Sequence, residues 1–85
     1  MRHAGDAALD TIDDLLVKIR VHQSLTERKR GSFYRKSAGL VHFHEDPAGM
    51  FADLKMDDGW KRFRVTTSSE QKQFLSELSR ILRSS

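Results

Sequence analysis

A chain of 85 residues has room for one domain, and at that size the core is too small to wall off a deep cavity. With 38% apolar and 32% charged residues it reads as globular rather than disordered, and the absence of cysteine excludes disulfides and thiolate metal sites and fits a reducing, cytoplasmic setting. Lys and Arg outnumber Asp and Glu by 15 to 12, and this net charge of +3 is a mild bias toward anionic partners.

Residues 1–5 read as a frayed start without the apolar stretch of a signal peptide, and 6–85 as a single α+β domain. Asp6 is placed to cap a first helix over about 6–23, in which Leu9, Ile12, Leu15, Leu16 and Ile19 recur at helical spacing. No apolar run exceeds that of Leu15-Leu16-Val17, far short of a membrane span, so no membrane partner is expected. A polar connection over 24–31 carries the charged run Glu27-Arg28-Lys29-Arg30.

Four strand-like segments follow, at 32–37, 40–45, 50–56 and 60–66. The first turn, Ser37-Ala38-Gly39, closes in more than one way, so either Phe33 or Tyr34 points inward. The second, Asp46-Pro47-Ala48-Gly49, suits a type I turn with glycine at a positive-φ bulge. It sets Glu45 opposite Met50, Phe43 opposite Ala52 and Val41 opposite Leu54. The third, Asp58-Gly59, predicts a type I′ turn with Asp57 opposite Trp60, Phe63 opposite Leu54 and Val65 opposite Ala52. Both turns put Val41, Phe43, Met50, Ala52, Leu54, Phe63 and Val65 on one face, and a one-residue slip would invert that face.

Thr67-Ser68-Ser69-Glu70-Gln71 holds two overlapping capping boxes, Thr67 with Glu70 and Ser68 with Gln71. A second helix over about 69–83 presents Phe74, Leu75, Leu78, Ile81 and Leu82 on one stripe. The expected fold is α-β-β-β-β-α, a four-stranded antiparallel meander with both helices on its apolar face.

The opposite face is then open, and it holds the residues with chemical character. Its expected rows are His42–Asp53–Arg64, His44–Phe51–Thr66 and Leu40–Lys55–Arg62, bordered by Trp60 and Arg35. Phe51 and Leu40 are apolar where a lone domain favours polar groups, so a protein partner or a second copy of the chain is the first expectation, with His42, His44, Phe51, Asp53, Arg62 and Arg64 as the contact set. The second is nucleic acid, held by Arg28, Lys29, Arg30, Arg35 and Lys36 together with the same face.

The third is a small metal- or ligand-binding protein. His42-x-His44 places two imidazoles on one face with Asp53 opposite, as strand-borne ligands would be. Arg64 beside Asp53 opposes a cation, however, and a solvated cross-strand ladder is the simpler reading, so no metal and no cofactor are expected. No nucleophile elbow or phosphate-cradling glycine loop is present, and the adjacent carboxylates Glu45 and Asp46 sit at a solvated turn, so the chain does not read as an enzyme.

The helix–strands–helix order resembles the double-stranded-RNA-binding domain. That family opens its second helix with a KKxAK-type lysine cluster, whereas Ser68 to Gln73 holds only Lys72, and the fourth strand is a further departure. The stretch from Phe43 to Leu54, FHEDPAGMFADL, with the Phe63-Arg64-Val65 strand and the Glu70-Gln71 helix start, resembles small uncharacterised bacterial proteins over about residues 27–82. That resemblance implies a stand-alone bacterial domain and assigns no activity.

Overall fold

The computed structural model describes residues 1–84. It is α+β, with β1 (Arg2–His3), α1 (Asp6–Asp10), α2 (Asp13–Arg20), β2 (Thr26–Lys29), β3 (Ser32–Arg35), β4 (Ala38–Asp46), β5 (Gly49–Met56), β6 (Gly59–Arg64) and α3 (Ser68–Arg83). The sheet is antiparallel in the order β2-β3-β4-β5-β6, and β1 lies beside β4. Four strands were expected. The other two are β1, in the stretch read as frayed, and β2, in the stretch read as a polar connection.

The expected first helix is broken. Thr11 and Ile12 hydrogen-bond to Ala8 and Leu9 in tight three-residue steps, and the Thr11 hydroxyl donates to the Ala8 carbonyl at 2.6 Å. Two β-branched residues and this back-bond interrupt the α-helical ladder, which restarts at Asp13 and ends at Arg20 instead of residue 23. Leu9 and Ile12 ahead of the break and Leu15, Leu16 and Ile19 after it are all buried.

Helices and sheet share one apolar cluster. All seven residues expected on the core face are buried there, and Phe74 of α3 packs its ring against Phe43 and Phe63. Phe33, 1% exposed, is the inward residue of β3, and Tyr34 points the other way. Of the two capping boxes the chain uses Thr67 with Glu70, and Gln71 donates instead to the Val65 carbonyl at 3.0 Å.

Leu40 differs from expectation. Phe33 pairs with Val41 but Tyr34 pairs with Gly39, so Leu40 is an extra residue in β4. Such a bulge turns two successive side chains the same way. Leu40 therefore joins Val41 in the core, 6% exposed, and leaves the open face.

The β4–β5 register is as expected from Asp46-Pro47-Ala48-Gly49. The β5–β6 register is not. Met56 pairs with Gly59, Asp53 with Arg62 and Ala52 with Phe63, two residues away from the type I′ reading. A type I′ turn centred on Asp58-Gly59 needs positive φ at the aspartate as well. The chain keeps Asp57 and Asp58 out of that region and gives it only to Gly59 (φ 125°), as it does to Gly49 (φ 136°) in the preceding hairpin. Because the shift is by two, the faces are preserved and the rows across them change.

Candidate functional site

Alternation along β4, β5 and β6 sends His42 and His44, Phe51, Asp53 and Lys55, and Trp60, Arg62 and Arg64 to the face that carries no helix. The rows are His42–Asp53–Arg62 and His44–Phe51–Arg64. The expected row His42–Asp53–Arg64 does not form, for the register reason above. Arg64 instead clamps Glu70 at 3.0 and 3.1 Å and the Ala48 carbonyl at 2.9 Å, tying β6 to the start of α3.

Asp53 is held from two sides. Arg62 donates through Nε to Oδ1 at 2.7 Å and through Nη2 to Oδ2 at 2.8 Å, and His44 Nε2 lies 3.1 Å from the same Oδ2. The Arg62 hydrogen bond is the larger cause of a carboxyl pKa below the ordinary value, with partial burial opposing it. The His44 ring also stacks at 4.7 Å on His3, which β1 brings alongside. His42 takes no part in this network. Its pKa is lowered, first by burial, then by the neighbouring His3 and His44, against a smaller upward pull from Asp53. Among the described residues no group of three or more His, Cys, Asp or Glu side chains is arranged to hold a metal ion. His44 Nε2 and both Asp53 oxygens are engaged within this trio.

What surrounds His42 is aromatic. Tyr34 meets it edge-on at 5.9 Å between ring centroids, and Trp60 lies 5.4 Å away on the other side. Gly39 lies beneath the three rings. A Cβ there would come within 3.0 Å of His42 Nε2 and 3.8 Å of both Tyr34 and Trp60, so the missing side chain is what lets the rings pack down on this strand. Cations stand at both ends: the Arg28 guanidinium lies 4.4 Å over the Tyr34 ring, and Lys55 Nζ is 6.0 Å from the Trp60 ring. Trp60 is 50% exposed. Beside these rings, β1 and β3 flank different halves of β4 and leave a notch of about 250 Å³, lined among others by His3, Lys29, Ser32, Tyr34 and His42.

The five basic residues of the loop region separate. Arg28 joins the open face over Tyr34, and Lys29 lines the notch. Arg30 turns to the helix layer, where it meets Asp10 at 2.7 Å, Asp6 at 3.3 Å and Asp13 at 3.5 Å. Arg35 reaches the Leu82 carbonyl at the end of α3 at 3.5 Å. Lys36 is exposed in the β3–β4 turn. Charges of both signs lie on both sides. Asp6, Asp10, Asp13 and Asp14 of α1 and α2 are accompanied by Lys18, Arg20 and Arg30, and α3 adds Arg80 and Arg83, whereas on the open face Arg62 is paired with Asp53 and Arg64 with Glu70, leaving Arg28 and Lys55 without a carboxylate partner among the described residues.

Sequence reasoning brought His42, His44, Phe51, Asp53, Arg62 and Arg64 to one face. It missed Gly39 and His3 as site residues and placed Trp60 only at the border. Gly39 was detectable as the one residue without a side chain in a strand otherwise rich in rings.

These features define an α+β domain with one helix-covered side and one bare, ring-bearing sheet face on which Arg28 and Lys55 stand. No protein-family model matches the chain, and no similar curated protein or solved structure was found. Among the described residues no helix is long and apolar enough to cross a membrane.

Proposed function

We propose that this protein is a non-enzymatic binding domain for nucleic acid and that it engages its ligand with the helix-free sheet face. The carrying observation is the pair of cations on the bare face, Arg28 over Tyr34 and Lys55 beside Trp60, which have no carboxylate partner among the described residues. A polyanion gains from neutralisation on one side only, and displaced counterions supply most of such binding. The rings on that face add surfaces on which bases stack.

The test is fluorescence anisotropy with labelled oligonucleotides at low salt. Affinity should fall steeply between about 50 and 200 mM salt. Replacing Arg28 and Lys55 together by glutamine should weaken binding and flatten the salt slope by about two ions' worth. No binding to single- or double-stranded DNA or RNA at low salt would sink the proposal.

A second reading, a protein partner or a second copy on the same face, is favoured by the half-exposed Trp60. It is weaker than the sequence suggested, because Leu40, one of the two apolar residues that motivated it, lies in the core. Light scattering of the isolated protein separates self-association from ligand binding.

A further inference from the structure

We infer that the notch between β1 and β3 is a binding site for one phosphate monoester group. This site is additional to the nucleic-acid reading above, because a phosphate can settle there whether or not the bare face holds a strand.

The notch exists because two short strands share one flank of β4. β3 pairs with β4 as far as Val41 and β1 pairs with it from His44 onward, which leaves His42 and Phe43 at the gap. The turn between β2 and β3 forms one wall. Gly31 in that turn, at φ 81°, is seated so closely that a Cβ would stand 2.9 Å from Leu9 and 3.6 Å from Phe43. This seat brings Lys29 and Ser32, paired across the turn, onto the lining.

The chemistry of the lining is one-sided. Its polar side chains are those of His3, Lys29, Arg30, Ser32, Tyr34 and His42; every one can donate a hydrogen bond, and no carboxylate is among them. Glu27 of β2 is turned to Arg20 at 2.6 and 3.0 Å and to the Gly31 amide at 2.9 Å. Among the described residues Lys29 has no ion-pair partner, and the Ser32 and Tyr34 hydroxyls have no hydrogen-bond partner. A phosphate monoester presents three acceptor oxygens and a charge of about −1.5 to −2 at neutral pH, the complement of an ammonium beside unspent donors. The volume of about 250 Å³ suits a single group, since sites for drug-sized molecules span about 300–1,000 Å³.

The side of the notch toward the helices makes the group a terminal one. Arg30 is bound there to Asp10 at 2.7 Å and to Asp6 at 3.3 Å, and Asp6 lines the adjoining hollow. A second phosphate continuing that way would meet these carboxylates, whereas a group that ends in the notch meets donors only.

The four histidines make the test local, because His3 and His42 line the notch and His22 does not. The intact protein is titrated with inorganic phosphate at constant pH and ionic strength, and the imidazole ring signals are followed by NMR. The expected result is a saturable shift of the His3 and His42 signals with that of His22 unmoved. Phosphate affinity should fall about fivefold or more in Lys29→Gln and in Ser32→Ala. Lys29 is exposed, so the first variant serves should the second lose its fold. A second arm compares oligo(dT) of about ten nucleotides with and without a 5′-phosphate, read by anisotropy. Tighter binding of the phosphorylated strand, lost in Lys29→Gln, supports the site and assigns it to strand ends. Equal binding of the two, beside the local response to phosphate, supports the site and assigns it to small phosphate esters. His3 and His42 signals that stay fixed up to about 20 mM phosphate, or move no more than that of His22, would overturn the inference even where oligonucleotides bind. If the phosphate response stands while no oligonucleotide binds, the nucleic-acid reading fails alone.

Discussion

His42 and Asp53 face each other across two strands, yet each answers to different neighbours. Asp53 is fixed by Arg62 and His44, whereas His42 is embedded among rings and held toward its neutral form. The expected row set Asp53 opposite His42, and a carboxylate there favours the imidazolium. Burial and two neighbouring histidines outweigh that pull. The sign of the pH effect follows. The folded pKa of His42 lies below its ordinary 6.5, so a falling pH protonates the unfolded chain first. The stability contributed by neutral His42 is complete above that ordinary value and is lost as pH falls from it through the folded value. Thermal melting of the wild type should therefore decline between about pH 7 and pH 5, and His42→Gln should flatten the decline. An unchanged slope in His42→Gln would move the effect to another group. Asp53 acts in a separate window, because its lowered carboxyl pKa keeps its contribution intact until pH falls below about 3.8.

At the scale of elements, turn chemistry separates what the sequence revealed from what it hid. Lys36 and Ser37 form the β3–β4 turn with φ of 51° and 68°, a region that side chains other than glycine's occupy at a cost. Ser37→Gly should raise stability by about 0.5–1 kcal/mol, a few degrees in melting temperature, and no gain would mean the turn is not strained at that residue. The Asp46-Pro47-Ala48-Gly49 turn was read correctly because proline and glycine each have only one comfortable place in it. Asp58-Gly59 was misread because its dipeptide signal competes with a turn over Asp57 and Asp58 that hands Gly59 the only positive φ. Apolar alternation repeats every two residues, so it is blind to a shift of two. The core face survived the error and the rows did not. That shift also concealed the site: the type I′ reading leaves Trp60 beyond the end of the face, whereas the observed Lys55–Trp60 pair sets it beside Gly39 and His42. β2 escaped notice because Thr-Glu-Arg-Lys shows no apolar alternation, as suits a charged edge strand, and with it went the placement of Arg28 over Tyr34. Leu40 was misplaced because a bulge breaks the parity on which the face assignment rests.

At the scale of the molecule, the two sides are chemically distinct, and the boundary between them runs through the sheet. The helix layer supplies the apolar cover, and the bare face supplies the rings with Arg28 and Lys55 beside them, so a polyanion meets an oriented target rather than a uniformly basic surface. One smaller feature bears on how copies of the chain behave toward each other. β1 is only two residues long, yet it occupies the flank of β4 beyond the end of β3, pairing Arg2 with Glu45 and His3 with His44 while the Ala4 amide donates to the Phe43 carbonyl at 3.1 Å. Remove it, and that length of β4 becomes a free edge with unspent donors and acceptors, the template on which a neighbouring chain can add a strand. The apolar cluster draws only Ala4 from this segment, so a chain lacking residues 1–4 should still fold. It should then dimerise or aggregate with rising concentration in light scattering where the full chain does not. If it remains as monodisperse as the full chain, β1 is not the guard of that edge. In this view the first few residues act less as structure than as a stopper, keeping a sheet that could grow from doing so.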